Sequence, residues 1–153
     1  MGMCFLRYEN NSFFSKLDLT IGQELENANV IAKNTLSNFN TTASKLLSNL
    51  SEQAYEPANK GFAVGLTPYS AGTIYGLVQC WQDISIKDCR SCLQKARDTI
   101  SQCCSESQGA QALLGSCTVR YEIYPFYDST KGNSTTSPPS SGPNVTSPNT
   151  SSK

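Results

Sequence analysis

The amino-acid sequence predicts an α+β domain that is held together by disulfide bonds. Two stretches have helical periodicity, three shorter stretches have the composition of β-strands, and the two kinds do not alternate strictly along the chain. Seven cysteines occur in 153 residues, and five of them fall between Cys80 and Cys117. Such density is typical of a disulfide framework in a secreted protein, or of a metal site in a reducing compartment.

The first helix is predicted over residues 35–54. Apolar residues recur there at steps of mostly three and four, which places them on one face of a helix. These residues are Leu36, Phe39, Ala43, Leu46, Leu47, Leu50 and Ala54. The pattern therefore indicates an amphipathic helix that packs this face against a core.

The second helix is predicted to begin after Ser85. Asp88 follows three residues later, and this pair has the form of a capping box at a helix start. The inner face of this helix is expected to carry Cys89, Cys92, Leu93, Ala96 and Ile100.

Three stretches favour β-strands: residues 61–65, 73–78 and 117–124. The last of them alternates small or apolar side chains with polar ones, as a half-buried strand does. Because these stretches and the helices are segregated along the chain, α+β is preferred over a doubly wound parallel sheet.

The C-terminal stretch, residues 129–153, is expected to form a disordered stalk. It is rich in Ser and Thr, contains four prolines and has almost no apolar side chains. Such a segment cannot bury enough surface to offset its chain entropy. The folded domain is therefore expected over residues 17–128.

One short sequence pattern occurs twice, once near the start of the chain and once near the end of the domain. Residues 4–14 and 117–127 share one pattern: a cysteine, two residues, Arg-Tyr-Glu, three further residues and two aromatic residues. Residues 1–16 are therefore interpreted as the C-terminal tail of a preceding copy of the same domain. The chain also begins without the pattern of a signal peptide, and it is expected to be a fragment of a longer protein.

Composition and charge argue against several classes of function. The twelve basic and twelve acidic side chains cancel, and neither sign forms a long run, so no electrostatic footprint for nucleic acid or an anionic membrane is present. The chain has no histidine, which removes the commonest general base and the commonest zinc ligand. No phosphate-binding glycine loop or activated nucleophile is recognisable. We therefore expect a binding module and not an enzyme.

Sequons for N-glycosylation favour the secretory pathway. A single Asn-x-Ser/Thr match is weak evidence in a chain rich in these residues, but six matches support a secreted protein. The candidate sites are Asn10, Asn40, Asn49, Asn133, Asn144 and Asn149.

The cysteines could also serve as metal ligands or as a redox pair. Cys89, Cys92, Cys103 and Cys104 could form a four-thiolate zinc site, and Cys89-x2-Cys92 could form a redox pair. An oxidising extracellular location argues against the zinc site. No thioredoxin-type βαβ pattern surrounds the pair, which argues against the redox role. No metal or cofactor is therefore expected.

The most specific signal is the spacing Cys80-x8-Cys89-x2-Cys92, followed by Cys104 and Cys117. With residues 75–79 before it and Arg-Tyr-Glu after the last cysteine, this pattern resembles the ginkbilobin-type domain. Plant cysteine-rich receptor-like kinases, cysteine-rich repeat secretory proteins and plasmodesmata-located proteins contain this domain. The resemblance covers roughly residues 20–128. It implies a five-stranded antiparallel sheet with two helices packed on one face.

The resemblance also implies disulfide pairings, namely Cys80 with Cys89 and Cys92 with Cys117. Single-repeat members join an N-terminal cysteine to the Cys104 position, which would give Cys4–Cys104. By its motif, however, Cys4 is the last cysteine of a preceding repeat. A Cys103–Cys104 bridge is unfavourable on geometry, because neighbouring Cα atoms lie about 3.8 Å apart and bridged ones usually about 4.4–6.8 Å. The pairing of these three cysteines stays open.

A sugar site is the best-known binding activity of this family. Antifungal members bind mannose-type sugars through an Asn after the first cysteine, an Arg, and the Glu of the last strand. The corresponding positions here are Phe5, Gln111 and Glu122, so only Glu122 matches. A solvated strand residue paired with a neighbouring cation is the alternative interpretation of Glu122.

The resemblance leads to one principal function and two alternatives. The principal one is an extracellular ligand- or protein-binding module of a plant cysteine-rich receptor-like kinase in stress or defence signalling, whose unknown partner is a carbohydrate or a protein co-receptor. It would lie in the apoplast or on the outer face of the plasma membrane, reaching the membrane only through a downstream transmembrane helix. A secreted antifungal mannose-binding lectin is the first alternative. A domain that mainly mediates self-association or co-receptor pairing is the second.

Overall fold

The computed structural model describes residues 6–128, in which one strand, a helix, two strands, a second helix and two further strands follow one another. The strands are β1 (Ile21–Glu26), β2 (Phe62–Tyr69), β3 (Gly72–Cys80), β4 (Ala110–Leu114) and β5 (Cys117–Glu122). The helices are α1 (Lys33–Tyr55) and α2 (Ile86–Cys103), and a short 3-10 turn, Pro57–Asn59, follows α1. In this part of the chain, neither helix is long and apolar enough to cross a membrane.

The five strands form one antiparallel sheet in the order β1-β4-β5-β3-β2. Two tight hairpins, β2–β3 and β4–β5, each join neighbouring strands through two residues. Both helices pack on the same face of the sheet, α1 over β2 and β3, and α2 over β4 and β5. The predicted α+β class, five-stranded sheet and paired helices are confirmed.

Helix α1 packs directly against the backbone of the sheet at one point, because two glycines pair there across β2 and β3. Gly65 pairs with Gly76 in register. A Cβ at Gly76 would lie 2.8 Å from Leu50 Cδ1, and one at Gly65 would lie 3.0 Å from Leu50 Cδ2. Leu50 therefore fills the space that two side chains would otherwise need, and it is 2% exposed.

Helix α2 begins and packs as its sequence predicts. Ser85 is its N-cap, and the Ser85 hydroxyl accepts a hydrogen bond from the Asp88 N–H at 3.0 Å. This bond satisfies one of the backbone donors that a helix start leaves without a partner. All five residues predicted for its inner face are buried.

Two strands, β1 and β4, were not apparent from the local sequence pattern. Every residue of β1 is exposed, so β1 has no alternation of buried and exposed side chains to detect. Four of the five residues of β4 are buried, which likewise hides a period of two. Their pairing brings together residues that are far apart in the chain, such as Gln23 and Leu113.

Three disulfides staple the described part of the chain. The bridges Cys80–Cys89 and Cys92–Cys117, which the resemblance implied, are both present, with Cα–Cα distances of 5.7 and 6.0 Å. Together they tie α2 to the end of β3 and the start of β5. Cys92 and Cys117 are completely buried.

The third bridge corrects the expectations for the remaining cysteines. Cys103 bonds to Cys104 with a Cα–Cα distance of 3.7 Å, so the structure contradicts Cys4–Cys104. Helix α2 ends at Cys103, and Cys104 leaves the helical conformation with φ −132° and ψ 24°. This change of backbone direction lets the two neighbouring sulfurs meet. Cys4 lies outside the described residues.

Candidate functional site

A pocket of about 340 Å³ lies at one end of the sheet, where β1, β4 and β5 meet. Three charged side chains line it. Glu26 is the last residue of β1, and Arg120 and Glu122 lie two residues apart in β5. The remaining lining residues are Leu25, Asn27, Gly109, Ala110, Gln111 and Tyr124. A lining that combines polar side chains, such as Asn27, with an aliphatic one, such as Leu25, is typical of small binding sites.

Glu122 is the central residue of this pocket. Its side chain is 10% exposed, and its Oε1 accepts a hydrogen bond from Arg120 Nη2 at 2.9 Å. Its Oε2 is buried and has no hydrogen-bond partner among residues 6–128. A buried carboxylate oxygen without a partner is costly, so a hydrogen-bond donor that reached this atom would stabilise it.

Gly109 makes room for the carboxylate. A Cβ at this position would collide with both Oε2 and Cδ of Glu122. The absence of a side chain at residue 109 therefore allows the Glu122 carboxylate to lie against the Gly109 backbone, and any larger residue there would displace the carboxylate.

Arg120 is held by contacts on several sides. Its guanidinium carbon lies 4.3 Å above the centre of the Phe126 ring, and Nη2 lies 3.4 Å from the Tyr124 hydroxyl. Together with the ion pair to Glu122, these contacts fix a planar cation at the mouth of the pocket. The site therefore presents a positive donor beside a carboxylate acceptor.

Gln111 lies directly opposite Arg120 in the β4–β5 register. It is 8% exposed, and its Nε2 donates to Thr118 Oγ1 at 3.3 Å. The resemblance described above implies an arginine at this position of the sugar site. Here the cation is on the neighbouring strand, across the same register pair.

Tyr121, which precedes Glu122 in β5, connects this strand to the segment that follows α2. Its hydroxyl lies 3.1 Å from the carbonyl oxygens of both Cys104 and Ser107. Burial raises the pKa of this phenol to about 12, and the nearby carboxylates of Glu122 and Glu26 add to the effect. Tyr121 is therefore a neutral donor that holds the strand and the helix end together.

Both predicted candidates of the site, Glu122 and Gln111, line the same pocket. Phe5, the third position of the sugar site, lies outside the described residues. The sequence did not point to Arg120, Glu26 or Tyr124. Arg120 and Glu122 stand two apart in a strand and so share a face, which is the signal that could have found the pair.

The internal repeat is matched by repeated contacts. Arg7 pairs with Glu9 as Arg120 pairs with Glu122. The Arg7 guanidinium lies 4.5 Å above the Phe13 ring, as that of Arg120 lies 4.3 Å above the ring of Phe126.

The first copy of the Arg-Tyr-Glu pattern contacts the folded domain through Arg7. Arg7 Nη2 lies 2.9 Å from Asp18 Oδ2, and Arg7 Nη1 donates to the Gly115 carbonyl at 3.2 Å. The N-terminal segment is therefore attached to the hairpin between β4 and β5.

The other predicted sites have different outcomes. The four cysteines of the alternative zinc site are all in disulfides, and Cys89 and Cys92 bond to partners other than each other. Asn10 and Asn49 are exposed, and Asn40 is half-buried. Asn133, Asn144 and Asn149 lie outside the described residues, as does the predicted stalk over 129–153.

Comparison with protein families and curated proteins gives one consistent result. The model of the family described as salt stress response/antifungal matches residues 25–124. The chain is 40% identical over 127 residues to an antimicrobial ginkbilobin-2-like protein of Castanea crenata. It is 36% identical over 146 residues to cysteine-rich receptor-like protein kinase 25 of Arabidopsis thaliana.

The chain is shorter than these relatives. The first match covers 82% of this chain and 51% of the chestnut protein, and the second covers 95% of this chain and 21% of the kinase. Among solved structures, the tandem DUF26 ectodomain of the Arabidopsis thaliana cysteine-rich receptor-like protein PDLP8 has the same fold. Its TM-score is 0.59 at 22% identity, over 76% of this chain and 52% of that one.

Proposed function

This chain belongs to the salt stress response/antifungal family, and we propose that it acts as an extracellular ligand-binding module of a plant cysteine-rich receptor-like kinase. The observation that carries the proposal is the buried, unpartnered Oε2 of Glu122, a residue that lines a pocket beside the fixed guanidinium of Arg120. The pocket favours a ligand that donates a hydrogen bond to the carboxylate, such as a sugar hydroxyl.

The relatives support the receptor part of this proposal. The alignment with the Arabidopsis receptor-like kinase covers 95% of this chain, whereas the alignment with the chestnut protein covers 82%. In such a receptor, residues 129–153 would act as the stalk that leads to a transmembrane helix and a kinase domain. The coding sequence after Lys153 tests this: a hydrophobic span followed by kinase motifs supports the receptor, and an immediate stop codon contradicts it.

We also infer that residues 17–128 are the second of two tandem repeats. The repeated Arg-Tyr-Glu pattern and the repeated Arg–Glu and Arg–Phe contacts support this inference. In a tandem protein, Arg7 would belong to the last strand of the first repeat, and its contacts with Asp18 and Gly115 would attach that strand to the second repeat.

Binding to immobilised plant and fungal cell-wall oligosaccharides tests the use of the pocket. We expect the wild-type chain to bind a subset of these probes and Glu122→Gln to lose at least tenfold in affinity, because an amide replaces one acceptor oxygen by a donor. The control is Gln79→Ala, which changes a half-buried polar residue at the far end of β3. Equal binding by wild type and Glu122→Gln would contradict the assignment of the pocket.

An antifungal lectin is the second candidate, and the 40% identity to the antimicrobial chestnut protein favours it. Binding to yeast mannan, measured with the wild type and Glu122→Ala, distinguishes this function. Binding that disappears in the variant would support the lectin. Absence of mannan binding by both proteins would rule it out.

A further inference from the structure

A groove of about 680 Å³ runs between the outer faces of α1 and α2, on the side of the domain opposite the open face of the sheet. Its floor contains the apolar side chains of Ala43, Leu47 and Ile100. Its walls are hydroxyl, amide and charged side chains, among them Ser44, Ser48, Gln94, Arg97, Asp98 and Ser101. The groove is larger than the Glu122 pocket and is separate from it.

One of the N-glycosylation sequons lies in the wall of this groove. Asn40 and Thr41 both line it, and Thr42 completes the sequon. Ser44 and Ser48 follow Asn40 at intervals of about one helical turn each, roughly 6 Å along the axis. A chain of sugars attached at Asn40 can therefore extend along the groove without leaving its polar wall.

The chemistry of the groove matches the core of an N-linked glycan. An N-acetylglucosamine ring offers hydroxyl groups, an amide and a methyl group. Serine hydroxyls, together with Gln94 and the Arg97 and Asp98 side chains that bond to it, offer donors and acceptors for the hydroxyls, and the apolar floor accepts the methyl group.

The other sequon on α1 provides an internal comparison. Asn49 lies on the same helix and is exposed, but it is not among the residues that line this groove. The two sites are nine residues apart, which places them on different sides of the helix.

We propose that Asn40 carries an N-linked glycan whose first sugars occupy the α1–α2 groove. Asn40 Nδ2 bonds to the anomeric carbon of the first sugar, that carbon's bond to the diphosphate of a lipid-linked oligosaccharide breaks, and the amide loses a proton. The glycan closes the groove to other ligands and leaves recognition to the Glu122 pocket. This inference rests on the extracellular location in the proposed function.

Lysine reactivity tests the position of the glycan. Lys45 lines the groove, whereas Lys33, at the start of α1, is exposed outside it. The chain is expressed in plant cells behind an added signal peptide as wild type, as Thr42→Ser, which keeps the sequon, and as Thr42→Ala, which removes it. Peptide mass spectrometry measures sugar occupancy at each sequon, and timed acetylation with acetic anhydride measures the reactivity of each lysine.

We expect Asn40 to be occupied in the wild type and in Thr42→Ser, and Lys45 to react several-fold more slowly in these two than in Thr42→Ala. Lys33 should react equally in all three, and Asn49→Gln should leave Lys45 unchanged. Equal Lys45 reactivity despite occupancy, or an unmodified Asn40 beside a modified Asn49, would overturn the inference. Absence of sugar at every sequon would also overturn the inference, whereas the receptor proposal is tested separately by the coding sequence after Lys153.

Discussion

Tyr121 should contribute to the pH dependence of the fold at high pH. Its phenol lies 3.1 Å from two backbone carbonyl oxygens at the end of α2, and burial raises its pKa to about 12. A pKa above the ordinary value of 10 means that the folded state favours the neutral phenol. The resulting stability is complete below pH 10 and is lost as the pH rises through about 12.

Tyr121→Phe should therefore change stability in two ways. At pH 7 the free energy of unfolding should fall by about 1–2 kcal/mol, because buried carbonyls lose their donor. Between pH 10 and 12 the stability of the variant should decline less steeply than that of the wild type. Urea denaturation at several pH values measures both effects.

Tyr8, which is 88% exposed, provides the control. Tyr8→Phe should leave the free energy of unfolding at pH 7 unchanged. The same alkaline slope in wild type and Tyr121→Phe would show that Tyr121 does not carry this dependence. Tyr127, whose pKa burial also raises to about 12, would then be the source.

At the scale of the elements, the close contact between α1 and the sheet depends on the Gly65–Gly76 pair. A methyl group at Gly76 would have to displace Leu50, whose Cδ1 would lie 2.8 Å away. Gly76→Ala should therefore destabilise the domain by about 1–3 kcal/mol, as overpacking of a core does. Chemical denaturation followed by circular dichroism measures the change.

Gly72→Ala is a matched control on the same strand. The added Cβ would meet the Tyr69 ring at 3.4 Å, an ordinary van der Waals contact, so a smaller effect is expected. If Gly76→Ala were as stable as the wild type, α1 could move away from the sheet at little cost. The close packing would then not be a determinant of the fold.

The elements also show how far the sequence predicts the structure. The helices could be predicted because their apolar faces and the Ser85 cap are patterns within contiguous residues. Strand β1 is exposed at every position and gains its place only by pairing with β4, so its local sequence has no such signal. In the same way, Glu122 could be predicted from the resemblance, but the position of Arg120 opposite Gln111 depends on a strand register.

At the scale of the whole molecule, the disulfides should contribute unequally to stability. Cys92–Cys117 spans 25 residues and joins α2 to β5. Loop-closure entropy for that span gives a stabilisation of about 3.5 kcal/mol. Cys103–Cys104 joins neighbours and constrains the unfolded chain very little.

Thermal unfolding of two double variants tests this difference. Cys92→Ala with Cys117→Ala should lower the melting temperature strongly, whereas Cys103→Ala with Cys104→Ala should lower it far less. Equal losses in the two variants would mean that the vicinal pair acts through packing in the folded state and that chain entropy does not determine the ranking.

The central claim is that ligands bind at the Glu122 pocket, and an NMR titration with soluble fungal cell-wall oligosaccharides tests it most directly. The largest shifts are predicted for the amides of Gly109, Gln111 and Tyr124, which line the pocket. They should be absent in Gly109→Ala, in which the added Cβ displaces the carboxylate. Shifts centred on the α1–α2 groove, an unchanged titration of Gly109→Ala, or no shift in the wild type would contradict the claim.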